Sequence, residues 1–201
     1  MITKKKSFYD LKMSEKKARQ DIIVEAAERV FAAKPFHKVT IRAIAQEAGI
    51  SPGFIYRYFA DRQSLFFAAY LKRHQEIIRL TAEVIQKSKD GDIEKVSETY
   101  ISYMNENDNY FRMMTYFMLD GTLSPLFVKE LNDTQRQFLD ELDKLFKKMG
   151  AAEPVRPLSH AFYATLGGVL ITFRNYPGRT KEAIHCHMKI VARTIAQKFR
   201  I

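Results

Sequence analysis

At 201 residues, 46% of them hydrophobic, the chain is long enough to bury a real core in one compact unit or two small ones. Its formal charge of +10 is uneven, with 15 Lys/Arg against 7 Asp/Glu in residues 1–73 and 18 against 16 in residues 74–201, so a polyanion touched by one end is expected. The lone Cys186 excludes an internal disulfide, Lys4-Lys5-Lys6 has no apolar run behind it to make a signal peptide, and the longest charge-free stretch, Pro157–Phe173, has 17 residues, short of the roughly 20 that span a bilayer.

In chain order, residues 1–13 are polar, basic and without period, and read as a flexible arm. Ser14 is the expected cap of a first helix running to about Ala33, in which Ile22, Ile23, Ala26, Ala27, Val30 and Phe31 keep helical spacing; Pro35 ends it. From Val39 to Phe66 the chain reads as two short helices around a tight turn, then the start of a third. Thr40 is a good cap for the first of these, Ile41, Ile44, Ala45 and Ala48 form its inward stripe, and Gly49 stands where a left-handed backbone stops it. Ser51 is the expected cap of the second, with Pro52 at the first helical position and Ile55 and Phe59 inward. Pro52, Gly53, Phe54, Tyr56 and Arg57 are left outward, which is the layout of a helix-turn-helix whose second helix enters the major groove of DNA.

This run resembles the DNA-binding signature of the TetR family of bacterial transcriptional regulators. The matching residues are Thr40, Ile44-Ala45, Ala48-Gly49-Ile50-Ser51, Gly53, Ile55-Tyr56, Tyr58-Phe59 and Leu65. Phe54 is bulkier than the usual residue there, and Arg62 replaces the usual Lys with the charge kept. Thr40 and Tyr56 have hydroxyls suited to phosphate oxygens, Arg62 adds charge at the backbone, and Ser51 and Pro52 stand at the helix start. Arg42 and Arg57 carry guanidinium forks that fit guanine edges, Gly53 allows close approach, and Phe54 suits a thymine methyl. Tyr58 faces either outward or into the core.

Asp61 caps a long fourth helix ending near Lys87–Asp92, followed by helical patterns at Ile93–Asn107 and Tyr110–Leu119. Gly121 breaks the pattern, a further helix runs from about Ser124 to Met149, and two more cover roughly Leu158–Asn175 and Thr180–Arg200. No strand period or repeat emerges. The expected fold is all-α with about nine helices: a helix-turn-helix DNA-binding domain at 14–60 and an effector-binding and dimerisation domain at 61–201.

Within the second domain, Tyr110–Leu119 offers adaptable aromatic and methionine surface. The resemblance implies an effector pocket there, and Tyr103, Met113, Met114, Tyr116, Phe117, Phe127, Phe162 and Tyr163 are its candidate lining; periodicity alone shows only a core. Gly167-Gly168 in an apolar helix cost about 1 kcal/mol each relative to Ala, which makes sense where another backbone comes close, in the same subunit or in a partner. The resemblance further implies a four-helix dimer interface built from the last two helices, with Gly167, Gly168, Ile184, Met188, Val191 and Ile195 as its candidates. His185, Cys186 and His187 are adjacent on a helix and point apart, so no metal site is expected. No catalytic motif is found and no cofactor is expected. The expected protein is a cytoplasmic, homodimeric, ligand-responsive repressor of a palindromic operator with a small hydrophobic effector; the alternative is a non-specific architectural DNA-binding protein, and an enzyme on a helix-turn-helix scaffold is disfavoured.

Overall fold

The computed structural model describes residues 8–119 and 125–200, the side chain of Phe117 excepted. The basic Lys4–Lys6, the break at Gly121, the helix start at Ser124 and the Phe117 ring lie outside those residues. The described residues form nine α-helices and no strand: α1 (Phe8–Ala33), α2 (Ile41–Ala48), α3 (Pro52–Tyr56), α4 (Arg62–Lys87), α5 (Ile93–Glu106), α6 (Asp108–Leu119), α7 (Pro125–Lys148), α8 (Arg156–Phe173) and α9 (Lys181–Lys198). A single 3-10 turn, Phe36–Lys38, links α1 to α2. Two units divide the chain, Met1–Leu71 with Arg112–Leu123 and Lys72–Phe111 with Ser124–Ile201, so α4 and α6 each contribute residues to both. The expected boundary at Asp61 falls instead inside the first unit.

In the first unit, α1 begins at Phe8, upstream of the cap expected at Ser14. Leu11 to Gln20 hold only residues compatible with a helix and no Gly or Pro, so nothing stops it there. Its C-terminal half buries Ile23, Ala26, Ala27, Val30 and Phe31. The Phe31 ring meets Phe36 at 5.7 Å and Phe66 at 4.9 Å, and Phe36 meets Phe66 at 5.3 Å. That aromatic triangle ties α1, the 3-10 turn and the start of α4 together. The Arg29 side chain pairs with Glu47 at 2.6 Å and joins α1 to α2.

The second unit is a helical core. Asp92 caps α5 by accepting the Lys95 N–H at 2.8 Å, and Thr180 caps α9 by accepting that of Ala183 at 3.2 Å. One face of α8 buries Ser159, Phe162, Leu166, Val169 and Leu170, while one face of α9 buries Ile184, Met188, Ala192 and Ala196. Arg174, after the end of α8, pairs with Asp108 and lies 4.2 Å over the Phe111 ring, fixing the α8 terminus to the start of α6. No described helix is long and apolar enough to cross a membrane.

Candidate nucleic-acid interface

The local chemistry of α2 and α3 fixes their shape. Thr40 is extended and its Oγ1 accepts the Ala43 N–H at 3.1 Å, which starts α2. Gly49, at φ +67°, stops it: its N–H turns back to the carbonyls of Ala45 and Gln46, and the Ile50 N–H reaches Ala45 O at 2.9 Å. Ser51 holds the cap position of α3 without using its side chain to cap, contrary to expectation; the Phe54 N–H donates to its backbone carbonyl at 3.0 Å instead. The start of α4 is closed by a reciprocal pair: the Ser64 N–H donates to Asp61 Oδ1 at 2.7 Å and the Asp61 N–H to Ser64 Oγ at 3.2 Å.

Beneath the two short helices, Ile44 and Ile55 are 0% exposed and Ala45 1%. Above them Thr40, Arg42, Ser51, Pro52, Gly53, Tyr56 and Arg57 are exposed, so these seven expected contact residues share an open surface. No atom lies within 4 Å of where a Gly53 Cβ would stand, which leaves room for a close approach. Phe54 is half-buried: its ring lies 5.3 Å from that of Tyr58, and the Arg57 guanidinium sits 5.5 Å from it. Tyr58, open either way in the sequence, is half-buried against Phe54, and Phe59, expected inward, is likewise only half-buried.

Arg62 differs from expectation. Its Nη1 donates to the Val39 carbonyl at 2.7 Å and lies 3.4 Å from that of His37, and its guanidinium stacks 4.3 Å over Phe36. A side chain expected at phosphate is engaged in holding the 3-10 turn to α4. Nothing in the local pattern around Arg62 marks its partners, which stand 23 and 25 residues away.

The expected effector residues are divided between the two units. Met113, Met114 and Tyr116 belong to the first, where both methionines are buried; Tyr103, Phe127, Phe162 and Tyr163 belong to the second. Phe162 packs against Phe146 and Phe199 at 6.0 and 5.3 Å, whereas Tyr163 packs against Tyr100 and Phe138 at 6.0 and 5.5 Å. The Tyr103 hydroxyl lies 2.8 Å from the Arg73 carbonyl and 2.9 Å from Glu76 Oε2. A buried group that the sequence did not mark stands nearby on α4: His74 Nδ1 is 2.9 Å from the Tyr110 hydroxyl and Nε2 is 2.9 Å from the Thr134 carbonyl. The carbonyl can only accept, so Nε2 carries the proton and Nδ1 accepts from Tyr110. Burial pushes the His74 pKa down to about 4, against the opposing pull of the Thr134 carbonyl.

Among the expected dimer residues, Ile184 and Met188 are buried in their own unit, at 8% and 0% exposure, while Gly167, Val191 and Ile195 are half-buried and Gly168 is exposed. Beyond their own helix backbone and adjacent residues, no atom of the described residues lies within 4 Å of a Cβ built on Gly167 or Gly168, so no described neighbour calls for these glycines. Ala161, Ala164, Gly168 and Ile171 on α8 form an exposed, uncharged face instead, and Ala183, Cys186, Ile190 and Thr194 on α9 form a second, bordered by Glu182, Lys189 and Arg193, which share a groove with Cys186 and Ile190.

Residues 23–69 match the sequence profile described as bacterial regulatory proteins, tetR family. A relative from Bacillus subtilis (strain 168), the uncharacterized HTH-type transcriptional regulator YfiR, is 26% identical over 155 residues, covering 72% of this chain and 73% of the relative. Among solved structures, the transcriptional regulator FadR from Bacillus subtilis in complex with stearoyl-CoA is similar at a TM-score of 0.75 and 16% identity, covering 89% of this chain and 96% of that one. A TetR family transcription regulator from Marinobacter aquaeolei VT8 is similar at 0.69 and 21%, covering 93% and 97%.

Proposed function

We propose that this TetR-family transcriptional regulator works as a homodimeric repressor, with one recognition helix for each half of a roughly palindromic operator and release by a small hydrophobic effector. The family consists of regulators, and the chain is not an enzyme. The observation that carries the reading is the outward surface of α2 and α3, where Thr40, Arg42, Ser51, Pro52, Gly53, Tyr56 and Arg57 are exposed over a buried Ile44–Ala45–Ile55 floor.

Each exposed group has a role. The Thr40 hydroxyl uses a lone pair for the cap and keeps its proton to donate to a phosphate. Ser51, spared from capping, and Tyr56 donate to the backbone likewise. Arg42 and Arg57 read guanine edges in the groove, and the Arg57 fork is steadied by the Phe54 ring behind it. Arg62 acts indirectly, by holding the turn that presents Thr40.

The dimer forms through the outer faces of α8 and α9. Gly168 lets a partner backbone approach; Ile171 and Ile190, 67% and 59% exposed, supply the apolar contact in place of the inward Ile184 and Met188. The effector is hydrophobic, a reading that the aromatic and methionine content of α5–α8 and the likeness to a FadR solved with stearoyl-CoA support. It acts by favouring a state of the dimer that DNA does not bind, and α4, which contributes to both units, is the element it biases. The location is the cytoplasm, where the operator is.

Selection of bound duplex from a random pool tests the whole reading. Two inverted half-sites about one helical turn, or a small multiple, apart are expected. Recovery of unrelated sequences, bound as tightly as random DNA, would instead favour an architectural protein.

A further inference from the structure

One face of α1 changes chemistry along its length. In the packed half, Ile23, Ala26, Ala27 and Val30 are buried on the side where α1 meets α2. Upstream, the same face continues through Lys12, Lys16 and Arg19, which stand at i, i+4 and i+7 and lead to Ile23 at i+11. Every residue from Phe8 to Arg19 is exposed, so this length, about 18 Å at 1.5 Å per residue, contributes no buried residue to the described core of its unit. Asp10 and Asp21 lie on the other side of the helix, and Glu15 pairs with Arg19 at 3.6 Å. The sequence just upstream carries Lys4, Lys5 and Lys6.

We propose that this overhang of α1 is a second DNA-contacting element, in which Lys12, Lys16 and Arg19 bind phosphates of the operator duplex outside the groove entered by α3. The proposal rests on the DNA-binding reading of α2 and α3 and extends the interface beyond them. The side of the overhang that continues the α2-packing face starts with the exposed Phe8 and Tyr9 and is cationic from Lys12 through Lys16 to Arg19, where an element built to meet more protein would stay apolar up to Ile23. Lys12 to Arg19 spans about 10 Å, the length of about three phosphates along one strand. Lysines are point charges that position without reading sequence, so this contact adds affinity on any duplex. A membrane surface fits less well, because Phe8 and Tyr9 share a side with Lys12, Lys16 and Arg19, and Leu11 and Met13 flank that stripe, so apolar and charged groups are not segregated to opposite faces.

The test compares the full-length protein with a Lys12→Ala/Lys16→Ala/Arg19→Ala variant, a Lys17→Ala control off the stripe, and a charge-keeping Lys12→Arg/Lys16→Arg variant. Affinity for the selected operator and for random duplex is measured between 50 and 200 mM salt, roughly the range over which counterion release is read, together with hydroxyl-radical footprints. The triple variant should lose at least about tenfold in affinity on both duplexes and become less salt-dependent by about 0.9 in log–log slope for each phosphate contact removed. Its footprint should lose the outermost protected positions, while the other two variants match the parent. An unchanged slope and footprint in the triple variant overturns the proposal, as does a loss confined to binding of anionic phosphatidylserine vesicles. If the parent itself binds no duplex, the repressor reading falls first and this inference with it.

Discussion

Arg62 and Arg57 carry the same charge five residues apart and do different things. The Arg62 guanidinium is engaged by the Val39 and His37 carbonyls and the Phe36 face, whereas Arg57 is exposed beside Phe54. Arg62→Ala should therefore lower stability by about 1–3 kcal/mol, read by chemical denaturation, by leaving a part-buried carbonyl without its charged donor. Arg57→Ala should leave stability alone, cost about 1–3 kcal/mol in operator binding and relax preference at one base pair. An equal loss on random DNA would place Arg57 at phosphate. His74 gives a pH signature. Its pKa of about 4 in the folded chain lies below the ordinary 6.5, so above pH 6.5 both states are neutral and nothing is lost. As pH falls towards 4 the unfolded chain takes up a proton that the folded one refuses, and stability drops by about 1.4 kcal/mol per pH unit in the middle of that range. Denaturation midpoints between pH 7 and 5 should show this slope, and His74→Gln should flatten it; a slope that survives the substitution would assign it to other groups.

At the scale of elements, Thr40 joins capping to contact. Thr40→Val removes the acceptor for Ala43 N–H and the hydroxyl proton together, so it should cost about 1 kcal/mol in stability and weaken binding to all sequences alike. Thr40→Ser should restore both; restored stability with binding still weak would show that the methyl group matters to the DNA surface. What could be read in the sequence was of this local kind. Thr40, Gly49 and Asp61 punctuate helices through bonds within a few residues, and spacing identifies most of the inward faces, Ile22 (56% exposed) and the half-buried Phe59 being exceptions. The failures share a different cause. Ser14 reads as a cap but good helix formers run through it, and Ser51 reads as a cap while the Phe54 N–H goes to its backbone carbonyl. The partners of Arg62, His74 and Arg174 lie between 23 and 70 residues away, and periodicity carries no record of distant contacts. The same limit explains why Ile184 and Met188 were grouped with Ile195 as a dimer stripe: spacing identifies an apolar face without saying which neighbour it meets.

At the scale of the whole molecule, the repressor reading needs two copies, since one five-residue recognition helix contacts too few base pairs to select an operator. A monomeric protein has little reason to leave Ile171 and Ile190 mostly exposed on the outer faces of α8 and α9, with an uncrowded Gly168 between Ala164 and Ile171. Burial of both faces against their mates joins two half-site contacts into one binding event, and the gain from such linkage is on the order of 10²–10⁴ in affinity without any new DNA contact. Ile171→Asp with Ile190→Asp would put four carboxylates in place of four apolar side chains in that interface of two subunits. The variant should sediment as a monomer with unchanged helix content and keep its weak affinity for a single half-site. On the full palindrome it should lose at least about a hundredfold. Substitutions at exposed positions leave the buried sides of α8 and α9 intact, so a loss of helicity is not expected to accompany the loss of binding. A parent that sediments as a monomer at micromolar concentration, or a variant that stays dimeric, would move the interface elsewhere and with it the spacing of the two recognition helices.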